Sequence, residues 1–453
     1  MLKVTTIETP ELGDRSYLVH DGTEGLVVDP QRDIERVLKA AADAGVRIAA
    51  VAETHMHNDY VTGGLALARK AGAEYLVSAD DEVRFERAPV ADGDEVKVGS
   101  FTVKVVATPG HTENHVSFVV SDGGEPFAAF TGGSLLYGTV GRPDLVSPEL
   151  TEQLARSQHR SAHRLGELPG DVELYPTHGF GSFCSASQDD SVGSSTIGRE
   201  RKDNIAFQIE DEDRFIESLL AALAPYPSYY AHMGEANLAG PEAGDLPPVT
   251  SVDSGELRRR LERGEWVIDL RSRRAFATKH LRGEAGFELS SSFVTYLGWI
   301  VPWNTPITLV GETQEDVRKA QRDLSLIGFD AIAGAAVGAV ESLAAGAGTC
   351  GYRVATFADL AGAMKDGDRP QVVDVRRRDE WVEGHIAGSQ NIPIHEVADR
   401  VSEVPATGPV WVHCAGGFRA SIAASLLDRA GKEVVMIDDS FDNAKESGLE
   451  LTR

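Results

Sequence analysis

With 453 residues, 42% of them hydrophobic and 46 of them glycine, the chain is long enough for two to four domains of ordinary α/β material. A formal charge of −26 excludes nucleic acid and anionic membrane surfaces as partners, because their phosphates demand Lys and Arg patches. No basic-then-apolar start and no apolar run of membrane-spanning length is visible. Three distant cysteines, Cys184, Cys350 and Cys414, are too few for a disulfide framework, so a reducing cytoplasm is expected.

The first half alternates short apolar strands with amphipathic helices. Gly25 to Asp29 reads as a strand. Asp33 to Ala44 reads as a helix with Ile34, Val37, Leu38 and Ala41 on one face and Gly45 as its stop. A strand over Arg47–Thr54 then delivers His55-x-His57-x-Asp59. Residues two apart in an extended turn point the same way, so these side chains converge. Neutral imidazoles suit zinc, iron and other first-row metals. Strands are expected at Val103–Thr108, His115–Val120 and Pro126–Thr131, and Thr108-Pro-Gly-His111-Thr112 adds a histidine after a Pro-Gly turn. His159, His163 and His232 read as surface residues. The aperiodic stretch Asn237–Pro248, rich in Gly and Pro, reads as a linker.

Beyond it the sequence repeats. Trp266-Val-Ile-Asp269-Leu-Arg271 recurs as Gln371-Val-Val-Asp374-Val-Arg376, His280-Leu-Arg-Gly283 as His385-Ile-Ala-Gly388, and Pro306-Ile-Thr-Leu-Val310 as Pro409-Val-Trp-Val-His413. Two copies mean two domains of one strand–helix fold with a mainly parallel sheet, joined by Ala344–Tyr352. His280 and His385 read as structural.

In the second copy a strand runs into His413-Cys414-Ala-Gly416-Gly417-Phe-Arg419, followed at once by a helical segment. A cysteine before a helix N-terminus has its thiolate stabilised by unpaired N–H groups and the helix dipole. Gly416 and Gly417 let the backbone curl around a bound sulfur or anion, and Arg419 supplies a cation for a sulfur oxyanion. The Cys-x4-Arg ring is one residue shorter than a phosphatase loop, which favours sulfur transfer.

These residues, with Glu380-Trp381-x-x-Gly384-His385 and Asn391-Ile-Pro393, resemble a rhodanese domain. The resemblance implies that Cys414 carries a persulfide taken from a donor such as thiosulfate. The first copy has Gly311 where the second has Cys414 and resembles an inactive rhodanese. Residues 1–235 resemble the persulfide dioxygenase branch of the metallo-β-lactamase superfamily. The matching residues are His55-x-His57-x-Asp59, Thr108-Pro-Gly-His111-Thr112, Phe130-Thr131-Gly132, Gly141-Arg142-x-Asp144 and Tyr175-Pro-Thr-His178-Gly. The expected order is thus an αββα metallo-β-lactamase sandwich (1–235), a linker (236–249), an inactive rhodanese-like domain (250–345) and an active one (354–453). That is the order of persulfide dioxygenase–rhodanese fusions.

The resemblance implies a mononuclear ferrous iron held by two histidines, His55 and His111, and one aspartate. Here the aspartate position is Gly133. His57, Asp59, His115 or water are the candidate replacements, and a metal set of His55, His57 and His111 is the working expectation. Tyr60 stands where binuclear relatives carry a histidine, which counts against a two-zinc site. Arg142 and Cys184 are expected to line the substrate site, Arg142 against the alternative of a structural ion pair with Asp144 and Cys184 against that of a small buried residue. The expected function is oxidation of a low-molecular-weight thiol persulfide to sulfite, coupled to sulfur exchange between thiosulfate, sulfite and thiols at Cys414. The competing readings are a sulfurtransferase on a metal-free scaffold, a zinc thioester hydrolase, and a non-enzymatic sulfur carrier. A homodimer is the default for this superfamily.

Overall fold

The structure, a computed structural model, describes all residues except 187–192, 245, 345–347, 366–369 and 406–407. The chain divides into two compact units, Met1–Asp245 with Asp323–Gly328, and Leu246–Arg322 with Phe329–Arg453. No helix among the described residues is long and apolar enough to cross a membrane.

The first unit contains two six-stranded sheets. One runs in the order Lys3–Thr9, Asp14–His20, Glu24–Val28, Arg47–Ala52, Glu74–Ser78, Ala88–Val90; the other in the order Ser195–Thr196, Glu173–Pro176, Glu125–Gly132, Val116–Asp122, Phe101–Ala107, Glu95–Val98. Alternation along the strands explains the layering. Leu26 and Val28 join Val103, Phe118 and Phe130 in one cluster, formed by residues of both sheets. Val27, one residue over, packs instead with Val37 and Ala41 of the helix Glu35–Ala44 and with Leu65 and Ala68 of the helix Gly64–Ala71. On the second sheet, Val119 and Ala129 pack with Ala155 and Ala162 of the helix Thr151–Leu165 and with Phe215 of the helix Glu212–Ala221. The result is an αββα sandwich. Strands apolar on both faces are what a sheet covered on both sides requires.

Element boundaries differ slightly from the sequence expectation. The first helix begins at Glu35 rather than Asp33, and the fourth strand stops at Ala52 rather than Thr54. The glycine- and proline-rich stretch from Asn237 does not start as a linker: the helix Tyr230–Ala239 runs into it, and Asn237 is buried.

In the second unit the repeat is visible strand by strand. The order Ala285–Gly286, Trp266–Asp269, Ile307–Gly311, Ile332–Val337 corresponds to Gln390–Asn391, Gln371–Asp374, Val410–His413, Val434–Ile437, and the second sheet adds Arg353–Ala355 at its edge. All these pairings are parallel. Arg271 Nη2 donates to Asp269 and to the Lys279 carbonyl; Arg376 Nη2 donates to Asp374 and to the Gly384 carbonyl. His280 stacks on Phe276 at 3.9 Å, and His385 on Trp381 at 3.6 Å. Of the joining segment, residues 345–347 lie outside the described residues, while Thr349–Cys350 forms a strand against His280–Leu281.

Candidate functional site

Four loops leave one end of the sandwich and meet. Arg47–Ala52 leads to His55 and His57, Phe101–Ala107 to His111, Glu125–Gly132 to Gly133, and Glu173–Pro176 to His178. The rings of His55 and His178 lie 5.4 Å apart and each sits 4.0 to 5.6 Å from the rings of His57 and His111 (centroids), and all four residues are buried. His178 was not among the expected ligands. Its signal was present in the sequence, a histidine two residues past an apolar strand end in Tyr175-Pro-Thr-His178.

Carboxylates orient this cluster. His178 Nδ1 donates to Asp14 Oδ1 at 2.8 Å and lies 3.2 Å from Asp59 Oδ2, leaving Nε2 to face His55 Nε2 at 3.4 Å. His57 Nε2 lies 3.3 Å from both Asp29 and Glu53. Asp29 adopts φ 51°, unusual for a non-glycine residue, and binds the Thr54 N–H, the Thr54 hydroxyl and Thr177. Asn237 closes the loop from outside, donating to the carbonyls of His57 and Tyr60. Tyr60 meets His57 Nε2 at 2.9 Å through its hydroxyl, so this position braces a ligand.

The charges follow from these partners. Burial alone would lower His178, but Asp59 and Asp14 raise it to about 10. His57 likewise is lowered by burial and lifted by Asp29 and Glu53 to about 9. Burial together with neighbouring His178 brings His111 down to about 3, against weaker upward pulls from the Arg142 carbonyl and Asp59. Burial and the charge of Asp59 push Asp14 up to about 8.

Two buried nitrogens in the cluster have no hydrogen-bond partner, His111 Nε2 and His57 Nδ1. Buried polar atoms are normally paired. The two residues belong to two groups of close potential donors, His55–His57–His178 and His111–His178–Cys184, each with donor atoms within 4.8 Å of one another. The residues therefore fit a metal ion.

Three expectations are corrected. His115 is no replacement ligand, because its Nε2 accepts the Gly133 N–H at 3.1 Å and its Nδ1 faces the Thr108 hydroxyl at 2.9 Å. Arg142 is not free for substrate: it forms a two-pronged pair with Asp144 (2.7 and 2.8 Å), donates to the Phe183 carbonyl and receives His111 Nδ1 on its own carbonyl at 2.8 Å. It positions His111 instead. His159 is buried and stacks near Phe215, whereas His163 and His232 are exposed. Cys184 is fully buried, its thiol raised well above the ordinary value by burial and by Asp59 and Asp14. A cleft of about 450 Å3 flanks the histidine loops, lined by Met56, Asn58, Thr112, Glu113, Tyr226 and Tyr230.

In the second unit Cys414 follows the strand Val410–His413 and precedes the helix Phe418–Arg429. Gly417, at φ 91°, turns its N–H toward Cys414 Sγ at 3.1 Å, and a Cβ there would collide with Asp438. Gly416 is exposed and faces open space. Arg419 forms a two-pronged pair with Glu380, at 2.6 and 2.8 Å. In the first copy Gly311 ends the equivalent strand and offers no nucleophile.

Comparison with known proteins agrees with this division. The metallo-beta-lactamase superfamily model matches residues 11–178 and the rhodanese-like domain model residues 356–447. The mitochondrial persulfide dioxygenase of Homo sapiens is 30% identical over 230 residues, covering 50% of this chain and 81% of that protein. A hydroxyacylglutathione hydrolase of Cereibacter sphaeroides is 30% identical over 222 residues, covering 46% of this chain and 83% of that protein. A metallo-beta-lactamase crystal structure from Staphylococcus aureus superposes with a TM-score of 0.67 at 29% identity, covering 75% of this chain and 99% of that one. The chain belongs to the metallo-β-lactamase superfamily and carries a C-terminal rhodanese-like domain, the composition of a persulfide dioxygenase–rhodanese fusion.

Proposed function

We propose that the protein is an enzyme of sulfur metabolism that moves sulfane sulfur through Cys414 and oxidises the persulfide of a low-molecular-weight thiol in its first unit. The observation that carries the reading is the Cys414 loop: a buried sulfur at a strand end receives the Gly417 N–H at the start of a twelve-residue helix. An anion at that place is stabilised by the helix terminus.

In sulfur transfer, Cys414 Sγ attacks the outer sulfur of thiosulfate. The S–S bond of the donor breaks, sulfite leaves with the electron pair, and Cys414 holds a persulfide. A thiol then takes the outer sulfur and Cys414 returns as thiolate. The Gly417 N–H holds the sulfur anion, and Arg419, fixed by Glu380, presents positive charge to the donor's oxygens.

In the first unit the metal, a mononuclear iron in this reading and zinc in the hydrolase alternative, would be held by three of His55, His57, His111 and His178. Such a ferrous ion supplies open positions for persulfide and O2. The chain supplies orientation: Arg142 fixes His111 through its carbonyl, Asp14 fixes His178, and Asp29 fixes the turn that carries His55. Tyr60 on His57 counts against the two-metal thioester hydrolase.

The test is oxygen uptake by anaerobically purified, iron-reconstituted protein supplied with glutathione persulfide, run beside thiosulfate sulfurtransferase assays of wild type and Cys414→Ser. Oxygen uptake with sulfite formed, and sulfurtransferase lost in Cys414→Ser, is the expected result. No uptake with intact sulfur transfer would leave the first unit a scaffold, a reading favoured by the missing carboxylate at Gly133. Transfer that survives Cys414→Ser would overturn the role of Cys414.

A further inference from the structure

A second thiol lies beside an imidazole and a carboxylate, away from the Cys414 loop. Cys350 Sγ is 3.3 Å from His280 Nε2, which is 3.0 Å from Asp428 Oδ2. The third side of this triangle, Cys350 Sγ to Asp428 Oδ2, is 3.7 Å. The other ring nitrogen of His280 donates to the Phe276 carbonyl at 2.8 Å, which fixes the ring and leaves Nε2 as the atom that exchanges a proton with the thiol, beside the Asp428 carboxylate.

The repeat shows that this is more than a packing histidine. Both copies stack the equivalent histidine on an aromatic ring and bond its Nδ1 to the carbonyl four residues earlier. Both pair its strand with a returning strand, His280 opposite Cys350 in the first copy and His385 opposite Thr452 in the second. The scaffold is shared, and among the described residues the first copy's Nε2 meets a thiol from the joining segment and an acid, Asp428, from the helix Phe418–Arg429.

The cluster opens on a cleft of about 780 Å3. Arg282, Arg353 and Lys432 line it alongside Tyr352, whose buried hydroxyl has no partner. Cys350 is partly exposed to it. Against the carboxylates of Asp428 and Glu433, these three cations leave the lining net positive, which suits an anionic reagent.

We propose that Cys350, His280 and Asp428 form a second thiol site, one that accepts sulfane sulfur from an anionic donor, either thiosulfate or the persulfide of a low-molecular-weight thiol. The choice of sulfane sulfur rests on the sulfur-transfer function proposed above. His280 Nε2 takes the Cys350 proton, and Asp428 stabilises the imidazolium that results. The thiolate attacks the outer sulfur of the donor. The donor's S–S bond breaks, sulfite or the free thiolate departs with the electron pair, and Cys350 is left as a persulfide. Burial alone would lower His280, but its hydrogen bonds to Asp428 and Cys350 raise it to about 10, in keeping with an imidazolium beside the sulfur.

The experiment uses the full chain as wild type, Cys414→Ser, Cys350→Ser and His280→Asn. Each is exposed separately to thiosulfate and to glutathione persulfide, and peptide mass spectrometry counts the sulfur on every cysteine. In Cys414→Ser the Cys350 peptide is expected to gain one sulfur atom, at a rate falling at least ~10-fold in His280→Asn. Loading by only one reagent identifies the donor. Cys414 loaded and Cys350 bare with both reagents would overturn this site and leave the Cys414 reading standing; the reverse would overturn Cys414 alone, and two bare cysteines would sink both. Should His280→Asn misfold, alkylation of Cys350 in wild type decides. A rate sustained well below the ordinary thiol titration supports the pair, and a rate that follows an ordinary thiol overturns it. Protection from alkylation that a chelator abolishes would make the cluster a metal site and overturn the proposal.

Discussion

The imidazole of His111 occupies the space that a side chain on Gly133 would need. A Cβ at 133 would lie 2.6 Å from Cγ and 2.8 Å from Nε2 of that ring. Gly133 therefore leaves no hole, because the His111 imidazole fills the volume a side chain there would take. Gly133→Ala should cost about 1–3 kcal/mol, the usual penalty of overpacking a closed core. Urea denaturation of the metal-free protein measures it, and an unchanged midpoint would mean that His111 swings aside without cost.

The orienting carboxylates make a separate prediction. Asp14 accepts from His178 Nδ1 at 2.8 Å, which holds the ring with Nε2 turned into the cluster. Outer partners of this kind typically affect metal affinity by about 10–100-fold. Asp14→Asn should weaken metal binding by that order in a chelator-competition titration, with the fold intact by circular dichroism. Equal affinity in the two proteins would remove His178 from the donor set.

At the Cys414 loop the informative residue is Glu380. Its two bonds to Arg419 fix where that guanidinium points, and both side chains are largely buried. Burial alone would raise Glu380, but Arg419 brings it below the usual carboxylate range. Glu380→Gln keeps the shape and removes the charge. The expected outcome is a rise of about 3–10-fold in KM for thiosulfate with a smaller change in kcat, because the loop that holds Cys414 is built by Gly417 and not by Glu380. A fall in kcat with KM unchanged would place Arg419 in the transfer step itself.

Much of this was legible in the residues. The alternation that splits Val27 from Leu26 and Val28 is a sequence pattern, and so are the His-x-His turn and the cysteine before a helix. The internal repeat announced two related sheets, and both have the same strand order. What the sequence could not show is which nitrogen of a ring is free. His115 and His111 look alike on paper, four residues apart, yet one is saturated by Thr108 and Gly133 while the other keeps an unpaired Nε2. For Arg142 the ion pair with Asp144, two residues on, was one of two readings open in the sequence, while the Phe183 carbonyl forty residues away that helps bury it was not. Asn237 looked like linker because composition ignores one buried amide tying a helix to the His57 turn. Long-range hydrogen bonding, unlike periodicity, leaves no local trace.

The last prediction concerns pH. His280 faces Asp428 and Cys350 on one side and Phe276 and Tyr352 on the others, the Tyr352 ring at 5.7 Å. Its folded pKa, raised to about 10 against an ordinary 6.5, means that the folded state binds the proton more tightly than the unfolded chain. The resulting stabilisation is complete below pH 6.5 and fades as pH rises through the folded value near 10. Asp428→Asn removes the partner that raises His280, so wild type should exceed this variant most at about pH 6. That difference should shrink as pH rises through 10, where the wild-type imidazole is about half protonated, and vanish above it. Urea unfolding midpoints of the two proteins across that range provide the comparison. A difference that stays flat with pH would show that Asp428 supports His280 by packing alone, and a difference that grows with pH would reverse the sign of the coupling.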